Sequence, residues 1–225
     1  MTSVYNRLLK NTLFVSVGGG LSKVVSFLML PLYTRWLSVG DYGLSDILTV
    51  YSSLILGVCT LCIAEAIFVF PKGVTVAKQK EYFSTGLIFT CFLLLLTAIA
   101  FYIYGILTDA GGKTNSFYQY RWYIYAIIVT SFFQLYTQQF AQAINKIKVY
   151  SFAGFVYTIS LAGFSFLLVP KYKVDGYIMA MVLSNCFSIL YTIIFSKSFF
   201  YFSYKSISCT VYKELLKYSI PLIPN

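Results

Sequence analysis

The chain has 225 residues, of which 59% are hydrophobic, 20% aromatic and only 11% charged. Soluble domains average about 25% charged residues, so this composition, with a mean hydropathy of +0.76, indicates a membrane protein. The net charge of +10 comes from basic residues in short loops between apolar runs, which excludes the continuous basic face of a nucleic-acid-binding protein.

Six apolar segments are long enough to cross a bilayer, which takes about 20 residues. They predict spans at about 11–33, 43–70, 83–107, 121–144, 149–169 and 177–196. The predicted fold is an all-α integral membrane bundle of six transmembrane helices over residues 1–217, with the start of a seventh helix at 218–225. Many transporters consist of two helical halves with a site between them. We therefore expect this bundle to be one lobe of a two-lobe transporter, with the chain a fragment of a longer protein or joined by a separate second lobe.

The first span carries a lysine, Lys23, near its middle. A cation there costs about 2.5–3.5 kcal/mol on the insertion scale. Ser16, Gly19 and Ser26 share its helical face. This face either lines a hydrated cavity or packs against another helix. In the second case the aliphatic stem of Lys23 would carry its ammonium to the membrane interface. Tyr33, Trp36 and Tyr42, near the span ends, are typical of the interfacial aromatic belt.

The second span carries two acidic residues. Ser38 and Asp41 are placed to cap its first turn. Asp46 begins a polar stripe with Thr49, Ser53, Gly57 and Thr60. Glu65 lies near the other end, where it is either a functional carboxylate or the partner of Lys72.

The fourth span has four amides at i, i+4, i+8 and i+11, namely Gln134, Gln138, Gln142 and Asn145. They predict either hydrogen bonds between helices, worth about 0.6 kcal/mol each, or a cavity wall for a ligand rich in hydroxyls. A tight turn at 170–176 then leads to the sixth span, with Asn185 at its middle. Residues 197–217 are predicted to be a polar, basic connection.

The chain has five cysteines and no histidine. The missing histidine removes the commonest metal ligand and general base. Cys59 and Cys62 form a C-x-x-C, which can indicate a redox or metal site, but within an apolar run we interpret them as buried thiols. The sequence predicts no enzyme, no cofactor and no metal site.

Loop charges predict the orientation. With a cytoplasmic amino terminus, 11 Lys and Arg lie inside, 5 lie outside or at outer helix ends, and Lys23 lies within the first span. We expect a multi-pass membrane protein with a cytoplasmic amino terminus, in contact with membrane lipids.

Two stretches resemble a known family. Asn11-Thr-Leu, Ser22-Lys23, the run Leu30-Pro-Leu-Tyr-Thr-Arg-Trp-Leu-Ser38 and Asp41-Tyr-Gly43 resemble the opening of the polysaccharide flippases, within the multidrug/oligosaccharidyl-lipid/polysaccharide exporter superfamily. Leu216-Lys-Tyr-Ser-Ile-Pro-Leu-Ile-Pro224 is similar to the start of that family's seventh helix. The resemblance covers the amino-terminal lobe of that two-lobe family.

The resemblance implies alternating-access transport of undecaprenyl-diphosphate-linked oligosaccharides across the bacterial cell inner membrane for O-antigen, capsule or exopolysaccharide, alongside other polysaccharide assembly proteins. Lys23 would occupy a position at which related lipid II flippases carry a cavity arginine for the pyrophosphate. Arg35 would assist at the outer mouth, the four amides would contact sugar, and Glu65 or Asp46 would bind a coupling ion.

Three alternatives stay open. A drug or cation antiporter of the same superfamily would favour acidic cavity residues over Lys23. An envelope-assembly enzyme, such as a glycan polymerase or acyltransferase, is disfavoured by the missing histidine and short outer loops. The third alternative is a non-transporting remnant or accessory membrane subunit.

Overall fold

A computed structural model describes residues 2–110 and 116–223, and the elements found there are all helical. The helices are α1 (Thr2–Trp36), α2 (Val39–Cys59), α3 (Ile63–Val69), α4 (Val76–Ala110), α5 (Ser116–Ala143), α6 (Ile147–Ser196) and α7 (Cys209–Ser219). Short 3-10 turns lie at Ser198–Tyr201, Tyr204–Ser206 and Ile220–Leu222. Part of the predicted 108–120 loop, the side chains of Arg7 and Lys10, and the last two residues fall outside the described residues.

Three of the described helices are long and apolar enough to cross a membrane, within Val39–Cys59, Val76–Thr108 and Ile147–Ser196. The count of six spans stays a prediction. Over residues 2–110 and 116–223 the protein is nevertheless all-helical, with membrane-length apolar helices.

Helix α6 is two antiparallel arms. The Ser188 hydroxyl donates to the Ala153 carbonyl at 3.0 Å, although 35 residues of straight helix would separate these positions by about 52 Å. The reversal occurs at Lys173, whose φ of 52° and ψ of −123° are not helical. The arms, 147–172 and 174–196, are about 39 and 35 Å long, so each exceeds the hydrocarbon thickness. The turn expected at 170–176 is confirmed.

The continuous second helix expected over 43–70 is wrong, because the helix stops at Cys59 and restarts at Ile63. Leu61 and Cys62 adopt left-handed φ values of 50° and 51°. This conformation costs about 1–2 kcal/mol for each residue. Local bonds satisfy the freed backbone: the Cys62 N–H donates to the Gly57 carbonyl and the Leu61 N–H to the Val58 carbonyl. Cys59 and Cys62 are free thiols beside this break.

Capping accounts for several helix boundaries. Ser38 and Asp41 form the expected reciprocal capping box at the start of α2. Asn145, with φ of 62°, ends α5, and the following Lys146 N–H donates to the Ala141 carbonyl. The Lys146 ammonium also donates to the Ser196 carbonyl, which ties the start of α6 to its end.

The core lies where α3, α4 and α5 meet. Buried aromatic rings from α4 and α5 meet there at tilted angles, with 4.4 Å between the Phe83 and Phe140 centroids. The Tyr136 hydroxyl donates to the Phe83 carbonyl at 2.6 Å. Helix α7, within the polar and basic connection at 197–217, buries Val211 and Leu215 on the same cluster.

Candidate functional site

A cleft of about 120 Å³ lies between α1 and α2, with the second arm of α6 as a further wall. That volume has room for several waters. Hydroxyls, aromatic rings and one carboxylate line it alongside Leu30 and Leu37, and these polar residues are Ser26, Tyr33, Tyr42, Ser45, Asp46 and Tyr177. Such a lining is unusual among apolar helices, and it identifies the cleft as the candidate site.

Two tyrosines form the centre of the cleft. The Tyr33 hydroxyl donates to Ser165 Oγ at 2.9 Å, which joins α1 to the first arm of α6. The Tyr33 and Tyr177 rings meet edge to face at 89°, with 5.4 Å between centroids. A neighbouring cavity shares Ser26, Tyr33 and Tyr177 and extends along α6 to Thr158. The tyrosine pair therefore lines both hollows.

The end of α1 is fixed by the α6 hairpin. Lys173 Nζ donates to the Trp36 carbonyl at 2.8 Å, where a helix end carries partial negative charge. The Trp36 ring meets Phe166 edge to face, with centroids 5.5 Å apart. These contacts fix the position of the last turns of α1, and therefore of Tyr33, relative to α6.

A model of the polysaccharide biosynthesis protein family matches residues 8–225. The chain belongs to this family. No curated protein and no solved structure matches the chain. Family membership and the long apolar helices together establish a membrane protein of polysaccharide biosynthesis.

In this family member, Asp46 is the predicted site residue that lines the cleft itself. Lys23 is exposed on α1, one turn or about 4.5 Å of helix rise before Ser26 on the same face. Within residues 2–110 and 116–223, no hydrogen bond or ion pair engages its ammonium. Arg35 is exposed in the last turn of α1.

The predicted amides of α5 do not reach this cleft. Gln138 donates to Ser188 Oγ at 3.1 Å, a hydrogen bond between helices. Gln134 and Gln142 are half-buried on α5. The expected helical strip of four amides is wrong at Asn145, because this residue lies beyond the end of α5 with a left-handed φ that stops the helix.

Glu65 is half-buried in α3, and its partner is an amide. Gln139 Nε2 lies 3.3 Å from each carboxylate oxygen. The alternative pairing with Lys72 does not occur in the described structure, where the Lys72 ammonium lies 3.1 Å from the Phe68 ring centroid. Gln139 does not belong to the i, i+4 series of amides on α5, so the sequence pattern did not identify it.

Two further polar positions are buried between helices. Asn185 Nδ2 donates to Thr130 Oγ1 and Ser131 Oγ, both at 3.1 Å. This amide, expected at mid-span, fastens the second arm of α6 to α5. Ser45 and Tyr177 line the cleft but were not singled out from the sequence, and the place of Tyr177 depends on the α6 reversal.

Proposed function

We propose that the chain forms one lobe of a flippase that moves undecaprenyl-diphosphate-linked oligosaccharides across the bacterial inner membrane by alternating access. The observation that carries the proposal is a cleft with hydroxyls, aromatic rings and a carboxylate, set between membrane-length helices of a polysaccharide biosynthesis family member. The amino terminus would be cytoplasmic. Members of this family are transporters and not enzymes, in keeping with the proposal.

The substrate combines an anionic pyrophosphate, a sugar chain and a long lipid tail, so a transport path needs cations and hydroxyl-binding groups. Lys23 would bind the pyrophosphate from its exposed position beside the cleft. The Tyr33 and Tyr177 rings offer flat apolar faces to sugar C–H groups, and Ser26 and Ser45 offer hydroxyls. Arg35 would attract phosphate at the mouth near the end of α1.

Two carboxylates are candidates for the coupling ion. Asp46 lies in the cleft, where substrate and ion would meet. Glu65 lies beside the break between α2 and α3 with a neutral amide partner. Glu65 is the better candidate for a proton or monovalent cation, because no cation in the described residues neutralises it. The half-buried Gln134 and Gln142 would contact sugar only if α5 forms part of a wider cavity with a second lobe.

A specific observation favours the cation antiporter as second candidate. Asp46 lines the cleft, whereas Lys23 lies one turn outside its lining. A cleft with one carboxylate and aromatic walls also fits an organic cation.

The test is Lys23→Ala in cells that depend on this protein for surface polysaccharide. We expect loss of export at unchanged protein level, with activity retained by Lys23→Arg. Lys171→Ala is the matched control, because it removes the same charge from an exposed residue at the hairpin. Normal export by Lys23→Ala contradicts the phosphate role, and uptake or efflux of organic cations that requires Asp46 supports the antiporter.

A further inference from the structure

An apolar groove of about 400 Å³ lies between α4 and the segment that follows α6, outside the α1–α2 cleft. Helix α4 contributes Ile88, Phe89 and Phe92, and the following segment contributes Ile207 and Tyr212. Almost all of the surface facing the groove is carbon. The proposed transport path does not use this groove.

The walls of the groove are held by specific contacts. The Phe89 and Tyr212 rings lie with centroids 3.9 Å apart. The Ser208 N–H donates to Thr85 Oγ1 at 3.2 Å, and the Tyr82 hydroxyl donates to Glu214 at 3.0 Å. Burial raises the pKa of the Tyr212 hydroxyl above its ordinary value. The groove is therefore a built feature of the fold.

One end of the groove continues into the apolar surface of α4. Phe92, at the lip, is 55% exposed. Beyond it, α4 presents a further exposed apolar surface formed by Leu95, Leu96, Ile99 and Ile103. From Thr85 to Phe92 the helix rises about 10 Å, so the groove leads along α4 onto this exposed apolar surface.

The other end of the groove is basic and hydroxylated. Residues 197–217 contain four lysines and one glutamate, and that glutamate accepts the Tyr82 hydrogen bond. Lys205 and Lys213 are exposed, and in the sequence they flank the groove-lining residues Ile207 to Tyr212. Phe202 and Tyr204 are also exposed, and aromatic residues beside lysines are typical of a membrane interface. Such a surface attracts anionic lipid headgroups.

We propose that the groove binds one acyl chain of an anionic phospholipid, with Lys205 and Lys213 contacting its phosphate. The apolar length accepts the chain, and the hydroxyls of Ser208 and Thr210 lie at the level of the headgroup ester. The bound lipid joins α7 and the 198–208 segment to α4. The site is thus a structural lipid site, and its occupancy does not depend on the transported substrate.

The first test uses the unmodified protein. Cys209 lines the groove and is exposed, so an occupying chain should shield its thiol. In nanodiscs of phosphatidylethanolamine, adding phosphatidylglycerol should slow maleimide alkylation of Cys209 severalfold and leave that of Cys186, on α6, unchanged. Equal alkylation of Cys209 in both membranes overturns the proposal, as does protection by a polyprenyl phosphate but not by phosphatidylglycerol.

The second test uses variants and native mass spectrometry of retained lipid. Lys205→Gln with Lys213→Gln should weaken phosphatidylglycerol binding about 30-fold, whereas Lys78→Gln with Lys80→Gln, outside the groove, should not. Ile88→Trp should fill the groove and abolish retention, and Ile159→Trp, at an exposed position of α6 outside the groove lining, is its control. Retention that is the same in all four variants overturns the proposal.

Discussion

The reversal of α6 depends on a glycine, Gly176, at the start of its second arm. A Cβ added there would lie 2.4 Å from the Leu168 carbonyl oxygen and 3.0 Å from the Val169 nitrogen. Both atoms belong to backbone, so no change of rotamer relieves the clash. Reaching an ordinary contact of 3.4 Å requires the arms to separate by about 1 Å at this point. We expect Gly176→Ala to destabilise the protein by about 1–3 kcal/mol, the usual range for overpacking.

The assay is thermal unfolding of the purified protein in detergent, where this loss corresponds to about 2–12 °C. Gly163→Ala is the matched control, because Gly163 lies in the first arm of the same helix with no atom within 4 Å of the added Cβ. That substitution should be neutral or stabilising by about 0.5–1 kcal/mol. Equal melting temperatures for Gly176→Ala and Gly163→Ala would refute the close approach of the arms. Gly176→Ala should also weaken transport, since Tyr177 follows directly and lines the cleft.

Three further substitutions test contacts outside the hairpin. Gly86→Ala would place a Cβ 2.8 Å from the Tyr136 hydroxyl and should lower the free energy of unfolding by about 1–3 kcal/mol. Adding Tyr136→Phe should recover part of that loss. Strict additivity of the two substitutions in a double-mutant cycle would contradict the contact. Ser38→Ala removes the α2 cap and should cost about 0.5–2 kcal/mol by thermal unfolding, so an unchanged melting temperature would argue against the capping box. Gln139→Leu should cost about 1 kcal/mol, because Glu65 is half-buried and loses its amide donor, and this loss should shrink when Glu65 is also replaced by leucine.

Features set by neighbouring residues were predictable from the sequence. The Ser38 and Asp41 spacing predicted the capping box, and the 170–176 stretch predicted the turn. The polar stripe of α2 placed Asp46 on a face that proves to line a cleft. In each case a short pattern determines the local conformation.

Features set by packing between distant segments were not predictable. The break after Cys59 carries left-handed residues that are neither glycine nor asparagine, and no pattern marks Leu61 for that conformation. Val211 and Leu215, at i and i+4, form a short apolar pattern that is typical of a helix such as α7. The charged residues of this segment instead favoured a polar connection. The Glu65 and Gln139 pair joins positions 74 residues apart, which no single-helix stripe can connect.

The cleft illustrates where stripe-based prediction stops. A helical stripe identifies which residues of one helix share a face, and it correctly grouped Lys23 with Ser26 on α1. Which residues pack against that face depends on the neighbouring helix. Here the neighbouring residue is Tyr177, which the chain reversal at Lys173 places beside α1. Tyr33 and Tyr42, whose positions are typical of the membrane interface, therefore line the site together with Tyr177 once the hairpin forms. The same reasoning makes the tyrosines, rather than the α5 amides, the first positions to substitute when the transport path is mapped.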